Sequence, residues 1–159
     1  MKAKKLLFLA ASFVGLMIMM STTCETDDIE DPGTCSGAAS AISTGNVEGT
    51  YCFDNVTTYT YDPANMVTFW ARETNTEMGM DLTVYAPDGG TVSNGTYDCA
   101  DSEAFVELIT SHDGEFYKSK SGTVTITNAN ATNFSASFNV SCEGYYNHKT
   151  INFSGTISK

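Results

Sequence analysis

The chain reads as all-β: an antiparallel β-sandwich or small β-barrel of about eight or nine strands, ending in a three-stranded meander. Three observations predict this. From Ser36 onward Thr, Val, Tyr, Phe and Ile are frequent, and Gly, Asn and Asp punctuate them. Several runs there alternate apolar and polar with period two, as half-buried antiparallel strands do. No segment after the N-terminal region shows a convincing helical period. "SGAASAIS", Ser36 to Ser43, is the one weak helix candidate.

The N-terminal region is of a different kind. Lys2, Lys4 and Lys5 precede an uninterrupted apolar run of fifteen residues, Leu6 to Met20. A membrane-spanning helix needs roughly 20 such residues, whereas a secretory signal needs fewer. We expect a signal peptide over 1–23, the alternatives being a membrane anchor or a buried helix. "ETDDIEDPGT", Glu25 to Thr34, offers almost nothing to bury, so 24–35 should be a flexible acidic tether. A calcium loop there would need the regular alternation and central glycine of an EF-hand, which are missing.

The domain over 36–159 is then built strand by strand. "MVTFWAR" puts Val67, Phe69 and Ala71 on one face and Trp70 on the other. "DLTVYA" puts Leu82 and Val84 inward and Tyr85 outward, and "PDGG" turns the chain. "AFVELIT" is apolar on both faces, like a central strand. "SHDG" makes a turn into "EFYK". "GTVTITN", "NFSASFNVSC" and "TINFSGTIS" form the closing meander, with Phe134, Ala136, Phe138, Val140 and Cys142 sharing one face. "VEGTYCFD" and "SNGTYDCAD" share Gly-Thr-Tyr with a cysteine close behind. We read them as two strand starts with the same turn chemistry rather than as a duplicated unit.

Charge and cysteines bound the function. The full chain carries 8 − 19 = −11; loss of the three signal lysines gives 5 − 19 = −14. Such a chain repels nucleic acid and anionic surfaces. Five cysteines leave one unpaired. "MMSTTC" resembles the lipobox of bacterial lipoproteins, which sets Cys24 apart as a lipidation site bearing palmitate-type chains. Cys35, Cys52, Cys99 and Cys142 remain as disulfide candidates for an oxidising compartment. Of three connectivities we favour Cys35–Cys52 with Cys99–Cys142. The spacings do not suit zinc, and no cofactor motif is present.

The layout resembles small outer-membrane lipoproteins of Bacteroidetes-type bacteria. The matching pieces are the lipobox and "CETDD" patch, Gly95–Tyr97, Ser121–Thr127 and Ser154–Ser158. The resemblance implies a β domain held at the outer membrane by lipid, and the acidic patch implies display at the cell surface. It carries no catalytic residue across.

Catalytic chemistry finds little footing. His112 lies in the "SHDG" turn and His148 in "YYNHK", and neither pairs with a nucleophile by spacing alone. Glu103 and Glu107 share a strand face about 13 Å apart, too far for joint action. Aromatic residues are the remaining lead. Trp70, Tyr85, Tyr145 and Tyr146 suit stacking on a glycan or packing on a protein partner; the alternative for Trp70 is a core position. We expect a non-catalytic binding or interaction module. A lipocalin-like carrier of a small apolar ligand is the alternative, and a carbohydrate-active hydrolase stands third.

Overall fold

The computed structural model describes Cys35 and residues 37–74, 76–110 and 114–159. The expected signal peptide, Cys24, the tether before Cys35, and His112 lie outside the described residues. Ten strands follow in order: β1 (Ala39–Gly45), β2 (Gly49–Phe53), β3 (Asn55–Asp62), β4 (Met66–Arg72) and β5 (Gly79–Tyr85), then β6 (Gly95–Asp98), β7 (Ala104–Ile109), β8 (Phe116–Asn128), β9 (Ser135–Gly144) and β10 (Thr150–Ser158). All pairings are antiparallel, in the order β2-β1-β10-β9-β8-β7-β5-β4-β3, with β6 attached to β8. The main path is a nearly closed barrel of nine strands, so the sheet class and the small-barrel form both match expectation. Its two ends, β2 and β3, are consecutive in the chain and meet at Asp54.

The meander β8-β9-β10 forms as its alternation dictates. Ala136, Phe138, Val140 and Cys142 face inward against Ile151, Phe153 and Ile157, all at most 4% exposed. Phe53, Phe69, Phe134 and Tyr117 join them and fill the interior. A barrel of about eight strands is just wide enough to be filled by its own side chains.

Two expectations are corrected. The helix candidate Ser36–Ser43 supplies most of β1 instead. Helical preference in an Ala-Ser stretch is worth only tenths of a kcal/mol per residue. β1 sits between β2 and β10 and gains a ladder on both sides, so long-range pairing overrides it. The disulfides also differ. Cys35–Cys52 is formed, but Cys99 and Cys142 are buried free thiols. Cys99 donates its N–H to the Gly122 carbonyl on one side of β8, while Cys142 pairs with Ser119 on the other side. One whole strand lies between them, so two strand spacings, roughly 9–10 Å, separate their backbones. A disulfide tolerates about 7 Å at most.

Candidate functional site

The outward positions of β4, β5, β7 and β8 form a continuous row. Trp70 lies opposite Asp81, Asp81 opposite Glu107, and Glu107 opposite Lys118. Directly opposed side chains have Cβ atoms about 5 Å apart. The parity that buries Val67, Phe69, Met80, Leu82, Val106 and Leu108 forces these four to the outer wall. Trp70 is half-buried there, neither core nor fully exposed. The Arg72 guanidinium lies 4.9 Å from its ring centre.

Both carboxylates are shifted from their ordinary range. Burial pushes Asp81 above the usual carboxylate range, opposed by a hydrogen bond from Thr83 and by Lys118. Burial also raises Glu107, Asp81 adds to it by like-charge repulsion, and Lys118 works against both. The Thr83 hydroxyl lies 3.3 Å from the Asp81 carboxylate and 3.0 Å from the Thr68 hydroxyl. Sequence spacing offered Glu103 with Glu107. The structure instead uses the Glu103 carboxylate to accept the Asp98 N–H at 2.9 Å, and pairs Glu107 across strands with Asp81. The outward parity of Asp81 was readable beside Leu82; its partner on another strand was not.

One row further along, an aromatic step leads into a notch. Tyr85 is 41% exposed and its ring centre is 6.2 Å from that of Phe105. The Lys118 ammonium sits 4.5 Å above the Phe105 ring. The notch exists because β8 changes neighbour. Its first residues, Phe116 to Lys118, pair with β7, and Thr123 to Ile126 pair with β6. Between them β8 carries a bulge at Ser119–Ser121, next to Gly122 at φ +102°. The Val106 N–H therefore bonds to the Ser119 hydroxyl, at 3.0 Å, rather than to a strand carbonyl. The resulting hollow measures about 220 Å³ and is lined by Tyr85, Phe105, Lys118, Ser102, Ser119 and Cys99. A second hollow of about 280 Å³ shares Tyr85 and Ser102 and is lined as well by Asp88, Asp101 and Glu103. Ser102 holds φ +63°, an uncommon conformation for a side-chain-bearing residue. The Cys99 thiol is pushed up by burial, with a hydrogen bond from Ser119 opposing, and Cys142 is pushed up to about 12, chiefly by burial. Both are poor nucleophiles at neutral pH.

The predicted aromatic residues thus fall into two groups. Trp70 and Tyr85 share the outer wall on adjacent strands. Tyr145 and Tyr146 lie apart, in the β9–β10 loop, 72% and 68% exposed with ring centres 4.9 Å apart. β9 is four strands round the barrel from β4. Their loop is held from beneath by Glu115, which is 4% exposed and accepts the Tyr146 and Asn147 N–H groups at 2.8 and 2.9 Å. His148 contacts Glu143 at 3.2 Å in that loop, facing solvent. Among the described residues no group of three or more His, Cys, Asp and Glu side chains is placed to hold a metal. Compared with known protein families, curated proteins and solved structures, the chain has no match.

Proposed function

We propose that this is an exported, non-catalytic binding module, lipid-anchored at Cys24 to the outer membrane, that recognises saccharides on the outer wall of β4, β5 and β7. The observation that carries the reading is the row Trp70–Asp81–Glu107, with Tyr85 and Phe105 on the same wall. Sugar rings have apolar faces and hydroxyl rims. A half-exposed indole takes the face, and two acceptor carboxylates with Lys118 take the rim. The expected cell-surface display and the net charge, which disfavours nucleic acid, agree with such a ligand. The filled interior favours an outside site over the lipocalin-like carrier.

A panel of neutral oligosaccharides titrated calorimetrically into the full-length protein in detergent tests this. Binding to at least one member, weakened about tenfold or more by Trp70→Ala, supports the reading. Wild-type protein that binds none of them refutes it. Hydrolysis is the second reading, because Asp81 and Glu107 are directly opposed on neighbouring strands, and glycoside hydrolysis needs a pair of carboxyl groups. The pair lies on a convex wall rather than in a cleft, which is why binding is preferred. Product formation abolished by Asp81→Asn or Glu107→Gln would reverse that preference.

A further inference from the structure

We propose that the notch between β6 and β7 is a subsite for the single sugar at the non-reducing end of a chain, so that the protein binds saccharide chain ends rather than chain interiors. This rests on the saccharide reading above. The outer wall and the notch are continuous. Trp70 opposes Asp81, and Phe105 opposes Thr83, two residues along β5. Two strand spacings across and two residues along give roughly 12 Å between Trp70 and Phe105, the span of a short oligosaccharide.

The notch has the chemistry of a sugar pocket. Tyr85 and Phe105 give an aromatic wall, and Lys118 and Ser102 give polar groups at the mouth. Ser119, a 7% exposed residue, also lines the hollow, and its hydroxyl accepts the Val106 N–H. About 220 Å³ is below the ~300 Å³ at which drug-sized pockets begin. It admits one ring and not a chain. The pocket also has a back. β6 and the turn after it, held by the Cys99 N–H to Gly122 and the Glu103 N–H to Asp98, close the side away from Trp70. A polymer running from Trp70 straight across β7 would meet that turn. The αL conformation of Ser102 at the mouth fits backbone strain kept where a ligand docks.

The test uses full-length protein in detergent and linear tetrasaccharides of glucose, xylose and N-acetylglucosamine. Each is offered unmodified and with its non-reducing end blocked by a bulky acetal, and each free monosaccharide serves as competitor. The proposal expects the blocked form to bind at least tenfold more weakly. It also expects Tyr85→Ala to lose about tenfold for the unmodified form, and Tyr85→Phe to retain binding. Monosaccharide at millimolar concentration should shift the amide resonances of Ser102 and Ser119. Equal binding of blocked and unmodified chains, with Trp70→Ala still weakening both, overturns the subsite and leaves the saccharide reading standing. No binding by any of them overturns both. Tyr85 is exposed, so a folding defect in Tyr85→Ala is not expected, and its circular dichroism spectrum checks that.

Discussion

Gly122→Ala perturbs the feature that creates the notch. Gly122 sits in β8 at φ +102°, and a Cβ there would collide with the Asn139 carbonyl and with the Val140 Cα of β9. Holding a side-chain-bearing residue in that conformation costs about 1–3 kcal/mol. Both obstructing atoms are backbone, so β8 and β9 must move apart, for about 1–3 kcal/mol more. The sum centres near 4 kcal/mol, which lowers the melting temperature of a domain this size by roughly 15 °C. Gly89→Ala is the control. Gly89 has φ +67° in an exposed turn, with nothing within 4 Å of an added Cβ, so the cost is about 1 kcal/mol. Thermal and urea unfolding followed by circular dichroism give both values. If Gly122→Ala unfolds within about 1 kcal/mol of wild type, the bulge is not held by that glycine and the geometry inferred for the notch is wrong.

The remaining predictions follow from single contacts. Asp81 and Glu107 both have folded pKa values raised above 3.8 and 4.5, so the folded state holds their protons more tightly than the unfolded chain. Their contribution favours folding below the ordinary carboxylate range and is lost as pH rises through the folded values. Asp81→Asn should therefore be at least as stable as wild type at pH 7, with the Glu107 titration moved down. Side-chain NMR titration showing Glu107 unmoved would contradict the coupling. Glu115→Ala leaves two loop N–H groups without their carboxylate, at a cost of about 3 kcal/mol, and should expose the Tyr146 and Asn147 amides to fast hydrogen exchange. Unchanged exchange there would mean the loop holds itself. Cys35→Ser opens a disulfide spanning 17 residues, worth about 3 kcal/mol by loop entropy. Alkylation in denaturant without reductant should label Cys99 and Cys142 and spare Cys35 and Cys52; a spared Cys99 would place it in a disulfide.

What could be read from the sequence was local. The period-two runs located the meander, the inward faces of β4 and β5, and the outward side of Trp70, because side-chain parity is a property of one strand. What depends on register between distant strands stayed hidden. Asp81 meets Glu107 only because β5 pairs with β7 at that offset. Cys99 and Cys142 share a buried face, yet their separation across β8 could not be known from parity alone. β1 has the composition of a helix and becomes a strand through its two partners. Nothing in "EFYK" marks Glu115 as buried; the return of the β9–β10 loop over it makes it an anchor. The two glycines of the "GTY" pair do begin β2 and β6, and both following tyrosines, Tyr51 and Tyr97, point into the core.

Trp70 is the single tryptophan of the chain, so its fluorescence reports on the outer wall alone. The decisive measurement is that emission during titration with the oligosaccharide bound most tightly in calorimetry, with acrylamide quenching before and after. Half-buried beside Arg72 and Asp81, Trp70 should be quenchable when free, shift to the blue on binding, and become protected with the calorimetric midpoint. Emission and quenching that stay constant while calorimetry registers saturation would put the ligand elsewhere on the barrel and contradict the assignment of this wall.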